Sequence, residues 1–255
     1  MFDLSAPENI DSCIPVIIEK NITQQINKGN ELILRSKYNG SRDIFLNKTA
    51  QFIFSMIDGS NNIDEISLNV SNKYKIDKKI SEKDVLNCIG ELFKVGLISW
   101  KNQNPFLLNR IKLYKNRKVI DCTFDLMYQI DFDHYNEIYY SPNLKRNQID
   151  LDWLISGIIT GTIKVYVSLV DEKLECMIVA SQTPKISNIV YVGLTNKEKD
   201  MRHILRDAFE STDNVLINIS TDNENQHQYF KDSGFEDIGL LREETRSGDV
   251  YIMSL

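Results

Sequence analysis

Three histidines and four scattered cysteines leave this 255-residue chain little material for a metal centre. Cys13, Cys88, Cys122 and Cys176 form no CxxC pair. Neither a zinc site nor a disulfide framework is expected, and reduced thiols in a cytoplasmic protein are. Five prolines and eleven glycines are too few for a disordered or fibrous chain. Apolar runs such as Val165 to Val170 fall far short of membrane length, so no membrane span is expected. Met1 to Ser5 places no basic stretch before an apolar one, so no export signal is expected. Basic charge is also short: the net charge is −6, and acid exceeds base in the first hundred residues as well as in the rest. That sign argues against a nucleic-acid footprint on either part.

What is present suffices for two small cores. Ile44 to Gly59 reads as a strand, a helix cap, a short apolar helix and a turn. Asn47 suits an N-cap, because its side chain can accept a bond from a free N–H of the first turn. Ala50, Ile53, Phe54 and Ile57 recur at helical spacing and define one buried face. Asp58-Gly59 ends the helix, since glycine tolerates left-handed geometry. Before it, strands are expected near Ile22–Ile26, Glu31–Ser36 and Arg42–Leu46, with Asn39-Gly40 turning the last pair. After it, helices are expected over Ile63–Tyr74 and Ser81–Val95, the second capped by Ser81 with Asp84 in its first turn. Leu97–Trp100 closes the set. The one basic cluster, Lys73, Lys75, Lys78, Lys79 and Lys83, reads as a solvated loop or as an electrostatic steer for an acidic peptide.

The strand pair, Leu46-Asn47-x-Thr49-Ala50, Asp58-Gly59, Asp84-Val85 and Leu92…Gly96-Leu97 occur in an order that resembles the PqqD family, over about Ile22 to Trp100. Those domains recognise leader segments of ribosomally made peptides that are later modified. The resemblance implies that an extended leader adds a strand beside Arg42, Asp43, Ile44, Phe45 and Leu46 and against the third helix. That helix carries two apolar stripes: Val85, Ile89, Leu92 and Gly96, then Leu86, Gly90 and Phe93. The second exceeds what one core contact needs, and Gly90 would admit a close backbone. Leu86 and Phe93 therefore either line the groove, with Gly90 between them, or pack on the neighbouring domain.

Lys101 to Asn109, polar and containing Pro105, reads as a linker. Beyond it, helices are expected over Ile149–Ile159, Lys197–Glu210 and Asn223–Ser233. Strands are expected over Thr162–Leu169, Leu174–Ser181, Ile189–Leu194, Val215–Ile219, Ile238–Leu241 and Val250–Met253. That order predicts a mixed α/β sheet. The expected domains are an arm (1–14), a winged-helix-like α+β domain of three strands and three helices (15–100), the linker (101–109) and the α/β domain (110–255).

In the last predicted helix, Asn223 opens and Gly234-Phe235 closes. With the strand order from Thr162 to Leu255, this resembles the GNAT superfamily of acyl-CoA-dependent N-acyltransferases. The resemblance implies a donor pantetheine beside a splayed strand, at Val192 and Leu194. It implies a donor diphosphate on the next helix N-terminus, near Lys197 and Lys199, with Asn223 contributing. It also implies a tyrosine that protonates the leaving thiolate. The chain departs from this pattern where the chemistry lies. Glu198, Asp200 and Arg202 stand where glycines are usual, and the usual tyrosine position holds Phe230. Tyr229 is adjacent but rotated about a quarter turn. His227, on the same helix, has the chemistry of a base near neutral pH.

Two roles for the second domain follow: an altered-donor N-acyltransferase or a scaffold without CoA. Asp131, Asp133 and His134 read as a polar loop, with no second ligand at metal spacing. Tyr135, Tyr139 and Tyr140 read as core or interface packing, or as the lining of an acceptor or acyl pocket. The whole reads as a maturation protein for ribosomally made peptides. Its partners are the precursor leader and another peptide-modifying enzyme. The competing class is a winged-helix transcription regulator with a ligand-sensing α/β domain.

Overall fold

The computed structural model describes residues 9–38, 42–114, 117–130, 136–142, 144, 149–171, 173–183, 185–195, 202–209, 214–245 and 248–255. The chain divides into two compact units, one ending at Leu108 and one starting at Asn109.

In the first unit, β1 (Pro15–Ile17) pairs antiparallel with β5 (Ile98–Trp100). A separate antiparallel sheet has the order β2 (Ile22–Lys28), β3 (Glu31–Ser36), β4 (Ile44–Leu46). The Asn39-Gly40 turn expected before β4 lies outside the described residues. Three helices follow: α1 (Lys48–Met56), α2 (Ile63–Tyr74) and α3 (Lys78–Lys94). Asn47 caps α1, its side chain accepting from the Ala50 N–H at 2.9 Å. Asn62 and Glu65 form a reciprocal capping box at the start of α2. The third helix begins three residues earlier than the sequence suggests. Asp77 is its cap, accepting from the Lys79 N–H. Ser81 is buried inside the helix, where its hydroxyl donates to the Ser67 and Lys78 carbonyls. A serine that finds a carbonyl across a helix contact has no need of a terminus.

Ile53, Ile57, Ile63, Ile66, Val70, Val85, Ile89 and Leu92 make the core of this unit. The expected linker is not free of it. Asn104 and Leu107 are buried, and Phe106 stacks on Phe93 with ring centroids 5.0 Å apart. Gly59 ends the turn after α1 at φ +79°, and a Cβ there would lie 2.8 Å from Val16 Cγ2. Both its backbone and its space demand glycine. Gly59→Ala is expected to cost about 1–3 kcal/mol, read as a lower denaturant midpoint.

The second unit is built on one sheet with the order β13-β14-β12-β11-β10-β9-β7-β6. Its strands are β6 (Ile111–Tyr114), β7 (Arg117–Asp121), β8 (Asn136–Tyr140), β9 (Ile163–Val170), β10 (Lys173–Gln182), β11 (Ser187–Leu194), β12 (Val215–Ser220), β13 (Glu236–Thr245) and β14 (Gly248–Ser254). The helices are α4 (Leu151–Thr160), α5 (Arg202–Phe209) and α6 (Glu224–Asp232). Neighbours in the sheet are antiparallel except β11 and β12, which are parallel and joined through α5. Ile204, Leu205, Ala208 and Phe209 of α5 and Phe230 of α6 pack on Ile178, Ile189, Val192, Ile217 and Ile219. β6, β7 and β8 are additions to the strands expected from sequence.

β10 carries a bulge: Leu174 opposes Leu169 and Cys176 opposes Ser168, which leaves Glu175 as the extra residue. Its side chain is 3% exposed and meets Arg117 at 2.8 and 3.3 Å. The Ser168 hydroxyl donates to the same carboxylate at 3.0 Å. Among the described residues, no helix is long and apolar enough to cross a membrane.

Candidate functional site

β4 pairs with β3 through Leu46–Leu32, Phe45–Ile33 and Ile44–Leu34. Its other edge has no ladder partner among the described residues. A groove of about 640 Å³ runs along that edge. Arg42 to Leu46 form one wall, Ala50 the end of the floor, and Asn87, Cys88 and Glu91 of α3 the other wall. Ile44 and Leu46 are buried, while Phe45 is 62% exposed. Arg42 forms an ion pair with Glu91 across the mouth. Asp43 is held from behind by Arg35, through bonds of 2.9 and 2.8 Å. That bidentate contact keeps its carboxyl below the usual carboxylate range. Burial pushes the Cys88 thiol up to about 12, so at neutral pH it is a small apolar surface and not a nucleophile. The groove thus offers an unpaired strand edge, an apolar floor and a charged rim of both signs.

Of the residues that sequence assigns to this groove, Arg42, Asp43, Ile44, Phe45 and Leu46 line it. Gly90 and Phe93 do not. Phe93 is buried and packs on Phe106 and Trp100. A Cβ on Gly90 would touch the Phe106 ring at 3.6 Å. Leu86 belongs to that same helical stripe and is not among the groove's lining residues. Phe106, from the unit's own chain, covers Gly90 and Phe93 with its aromatic ring. The α3 wall is instead Asn87, Cys88 and Glu91, whose mixed polarity gives no apolar signal. In the basic cluster, Lys73 lies over the Phe52 ring and Lys78 pairs with Asp64. Both serve packing within the unit.

In the second unit, the strand beside which the resemblance lays a donor is β11, which neighbours β12. The two strands pair only from Ser187 to Ile189 on β11. Opposite β10, the register of β11 shifts at Val190, between Val179 and Ala180, and the strand bends there. Past the bend, the freed edge of β11 is taken by β8, with Tyr191, Val192, Gly193 and Leu194 opposite Tyr140, Tyr139, Glu137 and Asn136. The Tyr139 hydroxyl donates to the Asn218 carbonyl of β12 at 2.7 Å. Gln226 of α6 donates to the Ile138 carbonyl at 2.9 Å. The Ser141 N–H donates to the Val190 carbonyl at the bend. Tyr139 is fully buried, edge-on to Phe230 at 5.5 Å. Burial raises its phenol above the ordinary range.

Val192 and Leu194 are therefore core residues flanked by strands on both sides. Lys197 and Lys199 lie outside the described residues, as do Asp131, Asp133, His134 and Tyr135. Asn223 caps α6 by accepting from the Gln226 N–H. Tyr229 is partly buried, with its ring edge-on to Phe230. His227 stacks on Tyr251 at 4.2 Å, and its Nε2 lies 2.6 Å from Asp237. Lys231 holds the other Asp237 oxygen at 2.7 Å. Lys231 first, then His227, depress the Asp237 carboxyl. This cluster joins α6 to β13 and β14, whereas Gln226 reaches β8. An acyl-CoA arm laid along β11 has no free edge to bond, so the residues present do not fit that group. No cluster of metal-ligating side chains occurs among the described residues. The four cysteines are free thiols.

Residues 38–98 match the family model described as coenzyme PQQ synthesis protein D (PqqD). That segment contains α2 and the three elements that line the groove, β4, α1 and α3. Among curated proteins, none matches the chain. Similar solved structures include a mutant spermidine N-acetyltransferase from Vibrio cholerae, at 13% identity over 56% of this chain and 94% of that one, TM-score 0.42. An acetyltransferase from Salmonella typhimurium that modifies the N-terminal serine of a 50S ribosomal subunit protein aligns at 10% identity over 57% and 97%, TM-score 0.44. A ribosomal-protein-S5-alanine acetyltransferase from Vibrio fischeri aligns at 9% over 57% and 95%, TM-score 0.40.

Proposed function

We propose that this protein captures an extended segment of a ribosomally made precursor peptide and so serves the maturation of that peptide. The observation that carries this is the unpaired edge of β4 above an apolar floor. A peptide added there gains backbone bonds along β4 and sets alternate side chains into the groove. Ala50 and Cys88 suit small or unbranched apolar side chains. Arg42, Asp43 and Glu91 at the rim read charge of either sign. The family match over residues 38–98 supports the same reading. In this reading the second unit presents the captured peptide to another enzyme, because the edge of β11 where an acyl donor would lie is taken by β8.

The test is titration of the full chain with synthetic leader segments of any short open reading frames that flank its gene, followed by hydrogen exchange. Micromolar or tighter binding, with slowed exchange over Ile44–Leu46, is the expected result. Binding with protection confined to other segments would remove the groove from the function. No binding of leader, with binding of duplex DNA from the adjacent promoter, would turn the reading to gene regulation.

A further inference from the structure

We infer that β8 is a permanent, chain-supplied substitute for a donor arm, so that the second unit takes no acyl-CoA and is a closed, non-transferring platform. The inference does not rest on the peptide groove.

Between parallel neighbours, a divergence leaves one strand edge without partners, and unpaired N–H and C=O groups in a cleft must find them. A ligand can supply the partners, or the chain can. Here the chain does so along the freed length of β11, from Tyr191 to Leu194. A segment resting loosely in a cleft would be held on one side. β8 is held on both. Its ladder binds it to β11, while Gln226 takes the Ile138 carbonyl on the other flank. Tyr139 bridges the full gap, with its backbone on β11 and its hydroxyl on the Asn218 carbonyl of β12. Just past the strand, Ser141 ties the chain to the bend at Val190.

The packing makes the same point. The Tyr139 ring belongs to the hydrophobic core and touches Phe230, itself wholly buried. Withdrawing β8 would open a hole in that core, strand the edge of β11 and leave Gln226 and the Asn218 carbonyl without these partners. A removable gate is built from exposed, weakly packed chain. In β8 Glu137 is exposed and Ile138 and Tyr140 are half-buried, but the strand is pinned by the wholly buried Tyr139 and by backbone bonds on both flanks. Its hydroxyl is also not a free acid, because the bond to Asn218 uses its proton. With the cleft filled, the nearby side chains have structural tasks: Asn223 caps, His227 and Asp237 fasten α6 to the sheet, and Phe230 fills the core.

The experiment uses the full chain with acetyl-CoA and octanoyl-CoA as probes. Calorimetry should show no saturable heat with either, and the melting temperature should not move at millimolar ligand. Amide exchange over residues 136–140 should be as slow as over 176–180 of β10, a readout that does not depend on a failed titration. Saturable binding of either thioester at micromolar concentration would overturn the inference, as would loop-like exchange of β8. Two variants each remove one fastening without emptying the core: Gln226→Ala and Tyr139→Phe. Both should still bind neither probe. If either gains saturable binding, β8 is a gate over a working donor site and the inference fails.

Discussion

Arg117→Ala is expected to unfold the second unit well below its normal transition. The change leaves Glu175 as a carboxylate that is 3% exposed and still bonded by the Ser168 hydroxyl, but without its cation. Removing one partner of a buried pair costs about 3–5 kcal/mol, because the remaining charge stays buried without its ion-pair partner. At about 2–4 °C per kcal/mol for a unit of this size, the transition should fall by roughly 10 °C. Arg117 is itself partly exposed, which places the effect toward the lower end. The first unit should melt unchanged, since the pair lies wholly in the second. The double variant Arg117→Met with Glu175→Leu should recover most of the loss, because an apolar pair of similar volume needs no solvation. A double variant as unstable as Arg117→Ala alone would show that the bulge at Glu175, not the ion pair, is what the sheet requires. The carbonyl of Glu175 accepts from both the N–H and the hydroxyl of Thr195. The bulge thus also anchors the end of β11.

Local chemistry in this chain was readable from sequence. Asn47 caps a helix, Asp58-Gly59 makes the turn after it, and Ile53 and Ile57 of the expected α1 stripe face the core, while Ala50 lines the groove and Phe54 is half-buried. The same holds for the strands from β9 to β12, whose valines and isoleucines are frequent enough to declare themselves. What was not readable depends on partners far along the chain. Asn136 to Tyr140 has too few apolar residues to alternate clearly, and its ladder partner β11 follows only after a helix and two strands. The tyrosines signalled burial but not a strand. The outer stripe of α3 shows a related limit. Leu86, Gly90 and Phe93 are equally suited to a ligand or to the chain's own aromatic, and Phe106 was hidden in a stretch that Pro105 and its asparagines mark as linker. Conversely, Asn87, Cys88 and Glu91 carry no hydrophobic pattern. They are wall residues only because β4 lies opposite them.

Filling the groove of the first unit should abolish peptide capture while leaving the fold intact. Cys88→Arg is the change to make. Cys88 lies in the α3 wall, facing Ala50 across a 4.0 Å contact between its sulfur and the Ala50 carbonyl. An arginine there can run along the groove and place its guanidinium near Glu91, three residues on and at the rim, where helical neighbours meet. Its long stem occupies the floor, and its charge meets any apolar side chain that tries to enter. Leader affinity should fall about a hundredfold, equivalent to about 2.7 kcal/mol. Cys88→Ser keeps the volume and should bind nearly as well as the parent. Phe45→Asp, at an exposed position of β4, should weaken binding by a smaller factor, since it removes one cross-strand contact worth about 0.2–1 kcal/mol. None of the three should shift the melting of the first unit by more than a few degrees. Full affinity in Cys88→Arg would place the peptide elsewhere. The other edge of the same three-stranded sheet, β2, which has no outer ladder partner among the described residues, would then be the next to test. An equal loss in Cys88→Ser would mean that the thiol itself, not the space it leaves open, makes the contact.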